Sequence, residues 1–166
     1  EYEQREREFD PTNDGWNSEA FHGETTAQLK VLAESLSVNT SPSILSPNAS
    51  ATVLRPANLA TIFENEGMKV LRASSPAPAD DLPLIGQLQD LTRPLHENGG
   101  NVSIRFKQFR VRPPATGTTT SSSTVLYKAR ASSPSRELVQ NATWVIDWVY
   151  DETSSSYLIE SIRADD

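Results

Sequence analysis

The stretch 141–162, NATWVIDWVYDETSSSYLIESI, sets Trp144, Ile146, Trp148 and Tyr150 on alternate positions. Side chains two residues apart share a face of a β-strand, so this spacing predicts a half-buried strand with its large aromatics on one side. Asp147, between Ile146 and Trp148, then points away from them. The turn DETSSS (151–156) reverses the chain into a second strand, SYLIESIRA (156–164). Such a hairpin needs more sheet beside it and an apolar cover over the tryptophans.

Upstream, TVLYKARA (124–131) alternates through Val125, Tyr127, Ala129 and Ala131 and supplies the neighbouring strand. NVSIRFKQFRVR (101–112) presents Val102, Ile104 and Phe106 on one face, then Phe109 and Val111 on the other. A one-residue slip of this kind is what a bulge or sharp bend produces. Read by alternation, Arg105 and Lys107 share one face while Arg110 and Arg112 share the other, so the basic stripe is split and reads as a solvated strand. Between the two strands, PPATGTTTSSS (113–123) is too polar to pack and is expected to be a mobile hairpin tip.

The first half of the chain has the helical period. TTAQLKVLAESLS (25–37) places Leu29, Leu32, Ala33 and Leu36 on one stripe, with Thr25 and Gln28 forming a capping box. VNTSPSILSPNAS (38–50) carries three breakers and no period, which predicts a surface loop, and ATVL (51–54) a short strand. RPANLATIFENEG (55–67) reads as a helical turn begun by Pro56 and ended by Gly67, followed by the short strand MKVLRA (68–73). After the loop SSPAPADD, where Asp80 or Asp81 can cap, a second helix sets Leu84, Leu88, Leu91 and Leu95 on one stripe. Pro94 is expected to kink or stop it near Thr92. Residues 1–15 are a polar arm and 16–166 one domain: two helices, then an antiparallel meander of four long strands. That order is α+β, with the helices on one side of the sheet.

Composition narrows the function classes. The 166 residues carry a net charge of -7 and no cysteine, which argues against phosphate-backbone binding and removes thiolate catalysis and Cys-ligated metals. No apolar stretch approaches the roughly 20 residues of a membrane span. The numbering opens on EYEQREREFD without Met, and the expectation is a removed upstream segment and an extracytoplasmic (periplasmic or secreted) location.

The helix AQLKVLAESL (27–36), the helix before the sheet, the bent NVSIRFKQFRVR and the closing pair ATWVIDWVYDE (142–152) and SYLIESIRA together resemble the nuclear transport factor 2-like (NTF2-like, SnoaL-like) superfamily, over roughly residues 16–164. The resemblance implies a cystatin-like cone, a strongly bent antiparallel sheet wrapped round the N-terminal helix with an open mouth. GWNSEAFHGETTAQLKVLAESL (15–36) is also similar to N-terminal regions of large exported bacterial proteins with FG-GAP and ASPIC/UnbV repeats. The superfamily hosts isomerases, dehydratases, epoxide hydrolases and non-catalytic modules, so the site must decide. Its enzymes hold an Asp base, sometimes with a His or Tyr, inside the cone.

The candidate bases are Asp147 and Asp90, with Asp80 and Asp81 behind them. Asp147 faces inward only if the tryptophans cover the outside of the sheet. His22 and His96 read as exposed surface or capping groups, with no metal-ligand spacing. No G-x-S-x-G, P-loop or G-x-G-x-x-G occurs, and no cofactor or metal is expected. The leading expectation is a non-catalytic accessory domain that binds a partner protein or a small apolar ligand, its pocket lined by Phe106, Tyr127, Trp144, Trp148 and Tyr157. One alternative is an isomerase or hydratase using Asp147 or Asp90. Another is a homodimer formed through the sheet face at Thr143, Val145 and Val149. Nucleic acid is not an expected partner.

Overall fold

The computed structural model describes residues 16–75, 78, 81–115 and 117–165. The expected arm, residues 1–15, and Asp80 lie outside them. Helix α1 (Trp16–Ser37) is followed by β1 (Leu45–Ala51), the hairpin β2 (Leu59–Glu64) and β3 (Lys69–Ala73), and β4 (Leu82–Pro83). Helix α2 (Leu84–Glu97) precedes the meander β5 (Asn101–Arg112), β6 (Ser121–Ser132), β7 (Glu137–Asp151) and β8 (Ser156–Asp165). The fold is α+β, with helices packed against one face of a curved sheet. Six strands join in the order β4-β1-β8-β7-β6-β5. The sheet is mixed where antiparallel was expected, because β1 pairs in parallel with β8.

The core lies between the helices and the inner face of β5–β8. Helix α1 contributes Phe21, Thr25, Leu29, Leu32 and Leu36, helix α2 Leu84, Leu88, Leu91 and Leu95, and the sheet Val125, Tyr127, Trp144, Ile146, Trp148, Ile159 and Ile162, all buried. On the same inner face β6 offers small buried residues: Ser121 opposite Trp148, Ser123 opposite Ile146, and Ala129 and Ala131 opposite Gln140 and Leu138. The expected polar tip therefore ends earlier than its composition suggested. Ser123 Oγ accepts from Trp148 Nε1 at 2.9 Å and Ser121 Oγ donates to the Trp148 carbonyl at 3.3 Å, so both hydroxyls are satisfied inside.

Several local expectations give way to tertiary contacts. Thr25 does not cap α1. It lies inside the helix and donates to the Phe21 carbonyl at 2.7 Å, an i−4 bond that satisfies its hydroxyl without ending the helix. Gln28 instead reaches the Tyr157 carbonyl at 2.6 Å and ties the helix to β8. The helix ends at Asn39, whose φ of 58° is the left-handed cap of a Schellman closure, with Thr40 N–H donating to the Ser35 carbonyl at 2.9 Å. The expected loop 38–50 contains β1. Pro47 is tolerated because it falls where the β1–β8 register is irregular, between Leu45 and Ser50.

The segment 55–67 is no helical turn. Thr61, Ile62 and Phe63 suit a strand, and Asn65 Oδ1 accepts from Gly67 and Met68 N–H at 3.0 and 2.8 Å to close a β-turn. Neither Asp81 nor any other side chain caps α2, which is entered directly from β4. Pro94 does not stop α2 either, since the helix runs on to Glu97. Fully buried Leu95, and His96 donating from Nε2 to the Leu36 carbonyl at 2.9 Å, hold its last turn in place. His96 is thus half-buried and bridges the two helices, where an exposed group was expected.

The slip in β5 is real, and its effect is the reverse of the alternation reading. Gln108 pairs with Val125 and Arg110 with Thr124, leaving Phe109 as the extra residue of a bulge, 50% exposed. Val111, opposite buried Ser123, returns to the inner face and packs on the core. Arg110 and Arg112 consequently share the outer face with Arg105 and Lys107.

Candidate functional site

Helix α1 lies along β5 at the edge of the sheet, and the two do not close completely. An open groove of about 530 Å³ runs between them. One wall is the flank of α1 beside its buried stripe: Thr26, Leu29, Lys30, Ala33, Glu34 and Ser37. The other is β5, from Val102 to Phe106 and Gln108. The Gln108 amide pins one end, donating to Thr25 Oγ1 at 3.0 Å, Thr26 Oγ1 at 3.3 Å and the His22 carbonyl at 3.3 Å. Leu29, Ala33, Val102, Ile104 and Phe106 make the floor apolar, while Lys30, Glu34, Ser103 and Arg105 form a polar rim.

Behind Phe106 stands an aromatic stack. Its ring centroid is 5.7 Å from Tyr127 and 5.6 Å from Trp144, and Tyr127 lies flat on Trp144 at 4.6 Å and 10°. The Tyr127 hydroxyl donates to Gln140 Oε1 at 3.0 Å, and Gln140 donates on to the Leu91 carbonyl at 3.0 Å. Burial pushes the Tyr127 phenol well above its ordinary range, so it stays protonated and serves as a donor.

Of the aromatics expected to line a pocket, Phe106 lines the groove, and Tyr127 and Trp144 back it. Trp148 sits deeper, bonded to Ser123. Tyr157 lies apart, edge-on to Phe21 at 5.0 Å, its phenol pushed up by partial burial and then by the Glu24 charge. Asp147 is on the outer face. Its side chain is 36% exposed, accepts from Ser161 Oγ at 2.8 Å and lies 3.4 Å from Arg163 Nη2. Asp90 is exposed on α2 and paired with Arg93 at 2.6 Å, and Asp81 is exposed. None of these carboxylates is near the groove, whose one lining carboxylate is the exposed Glu34.

Among the described residues no group of three or more His, Cys, Asp or Glu is placed to hold a metal, and no helix is long and apolar enough to cross a membrane. The residues that the sequence reading missed are those on the α1 flank. Their signal was present, since Thr26, Lys30 and Ser37 recur at helical spacing beside the stripe on which Leu29 and Ala33 were read as core. Nothing local shows that the flank borders a cavity.

Fold and groove together define a small α+β domain with an open, mainly apolar cleft. Comparison with solved structures places the fold among known ones. A protein from Catenulispora acidiphila superposes with a TM-score of 0.53 at 11% identity, over 90% of this chain and 94% of that one. A Mycobacterium tuberculosis protein of unknown function superposes with a TM-score of 0.53 at 7% identity, over 93% of this chain and 75% of that one. At such identities the likeness is one of fold. No family model and no curated protein matches the sequence.

Proposed function

We propose that this domain is a binding module and that the α1–β5 groove is its binding site, taking a partner segment or a small apolar ligand. The observation behind this reading is a cleft of about 530 Å³ with an apolar floor, whose one lining carboxylate, Glu34, stands exposed at the rim. Pockets of this size and character suit apolar ligands. The isomerase or hydratase reading is weaker, because Asp147 is on the outer face, away from the groove, Asp90 is exposed, and both are already paired.

A neutral, apolar fluorescent dye such as Nile red tests the proposal. Native protein is expected to enhance its emission, and Ala33→Lys, which fills the groove from a half-buried position, to abolish the enhancement. Equal enhancement by both proteins would place the dye elsewhere and sink the reading. A panel of ketosteroid, epoxide and lactone substrates is expected to give no turnover, and a rate lost on Asp147→Asn would restore the enzyme reading.

A further inference from the structure

Strand β5 ends the sheet, and no strand pairs with its outer edge among the described residues. A free edge of 12 residues is a template for another strand unless something blocks it. The groove lies along this edge. Its lining includes both the inward Val102, Ile104 and Phe106 and the outward Ser103 and Arg105, and both sets can border one cavity only where it wraps past the strand's free side. The α1 wall from Thr26 to Ser37 spans eleven residue steps of about 1.5 Å, roughly 16 Å in all, the length of about five extended residues.

The outer face beside the edge has one sign of charge. The bulge at Phe109 gathers Arg105, Lys107, Arg110 and Arg112 there, and Lys128 joins them opposite Arg105. The ion pairs of the described residues are Arg93–Asp90, Arg130–Glu137 and Arg163–Asp147, so these five cations have no carboxylate partner. They stand on a chain of net charge -7. Pairing this face with a second copy of itself would set the cations against one another, which opposes a dimer formed that way.

Resting on the reading of the groove as a binding site, we infer that β5 receives an extended segment of a partner protein as a seventh strand, with apolar and acidic residues alternating along it. Main-chain bonds to the β5 edge hold the segment, as in other strand-addition complexes. Its apolar side chains enter the groove over Ile104 and Phe106. Its carboxylates, one position out of phase, meet Arg105 and Lys107. A nucleic acid would use the cations but neither the strand edge nor the apolar floor.

The probe is a labelled, acetylated peptide of sequence VEVEVEV, followed by fluorescence anisotropy on the full chain. Saturable binding that weakens with salt is expected. Arg105→Glu/Lys107→Glu should weaken it by about tenfold or more. Peptides N-methylated on alternate residues separate strand addition from charge attraction, because one phasing blocks the bonds to β5 and the other faces solvent. One phasing should bind and the other should not. Equal binding by both, or binding of an oligothymidine as tight as that of the peptide and insensitive to Ala33→Lys, would reduce the cations to an anion patch or a guard against self-association and overturn the inference. If the peptide fails while the dye binds native protein and not Ala33→Lys, strand addition falls and the groove reading stands. If both fail, the groove reading falls too.

Discussion

On the inner face of the meander, Tyr127 lies flat on Trp144, Trp148 bonds to Ser123, and Ile146, Ile159 and Ile162 are fully buried. On the outer face of the same strands, Arg105 stands opposite Lys128 and Arg110 opposite Thr124, and these cations have no carboxylate partner among the described residues. The two faces differ by one residue of phase, and two bulges maintain the difference. Phe109 is the extra residue of β5, and Glu160 that of β8, where Ser161 pairs with Asp147 and Ile159 with Trp148. Each bulge lets residues three apart, Gln108 and Val111 or Ile159 and Ile162, point the same way. The sheet bends there without exposing its core. The inner face thus carries stability, and the outer face is free to carry charge.

The largest test of that division is Trp144→Ala, which leaves a cavity the stacked sheet cannot close. It should cost about 3 to 5 kcal/mol of the roughly 5 to 15 kcal/mol that holds such a domain together, seen as a collapse of the urea midpoint or as insolubility. Deleting Phe109 should come next. Gln108 and Arg110 would then be chain neighbours and keep their pairing with Val125 and Thr124, so Arg110 and Arg112 stay outside and Val111 inside; only the bend is lost, at a cost of about 1 to 2 kcal/mol, with fraying confined to the strand end in hydrogen exchange.

Tyr127 gives a pH-dependent test. Its folded-state pKa is raised, so the unfolded chain loses this proton first, above about 10. The stabilisation is fully present below that pH and is lost as the pH rises toward the folded value, at about 1.4 kcal/mol per pH unit. Urea midpoints of native protein should therefore fall more steeply above pH 10 than those of Tyr127→Phe. Parallel curves would mean that the phenol is hydrated. Asp147→Ala is the smallest step, expected to change stability by under about 1 kcal/mol, because the carboxylate's ion pair and hydrogen bond are at the surface. A loss as large as that of Trp144→Ala would erase the distinction between the faces.

The sequence by itself determined the elements whose period is long and unbroken. The leucine stripe of α2, the alternation of Trp144, Ile146 and Trp148 and the placement of Asp147 on the face opposite the tryptophans follow from spacing alone, because helix and strand periods sort those side chains by face whatever lies opposite. Tertiary structure decided the rest. Breaker-rich residues 45–51 became a strand because β8 offered them a free edge, and helix α2 ran through Pro94 because Leu95 and His96 were held from outside. Alternation could detect the slip in β5 but not name the extra residue. Only the register with β6 chose Phe109, and with it the face on which Arg110 and Arg112 lie. The groove was least legible, since it is the space left where a helix flank meets a sheet edge, a distance set by the packing of the buried stripe on the sheet and not by any residue in the groove itself.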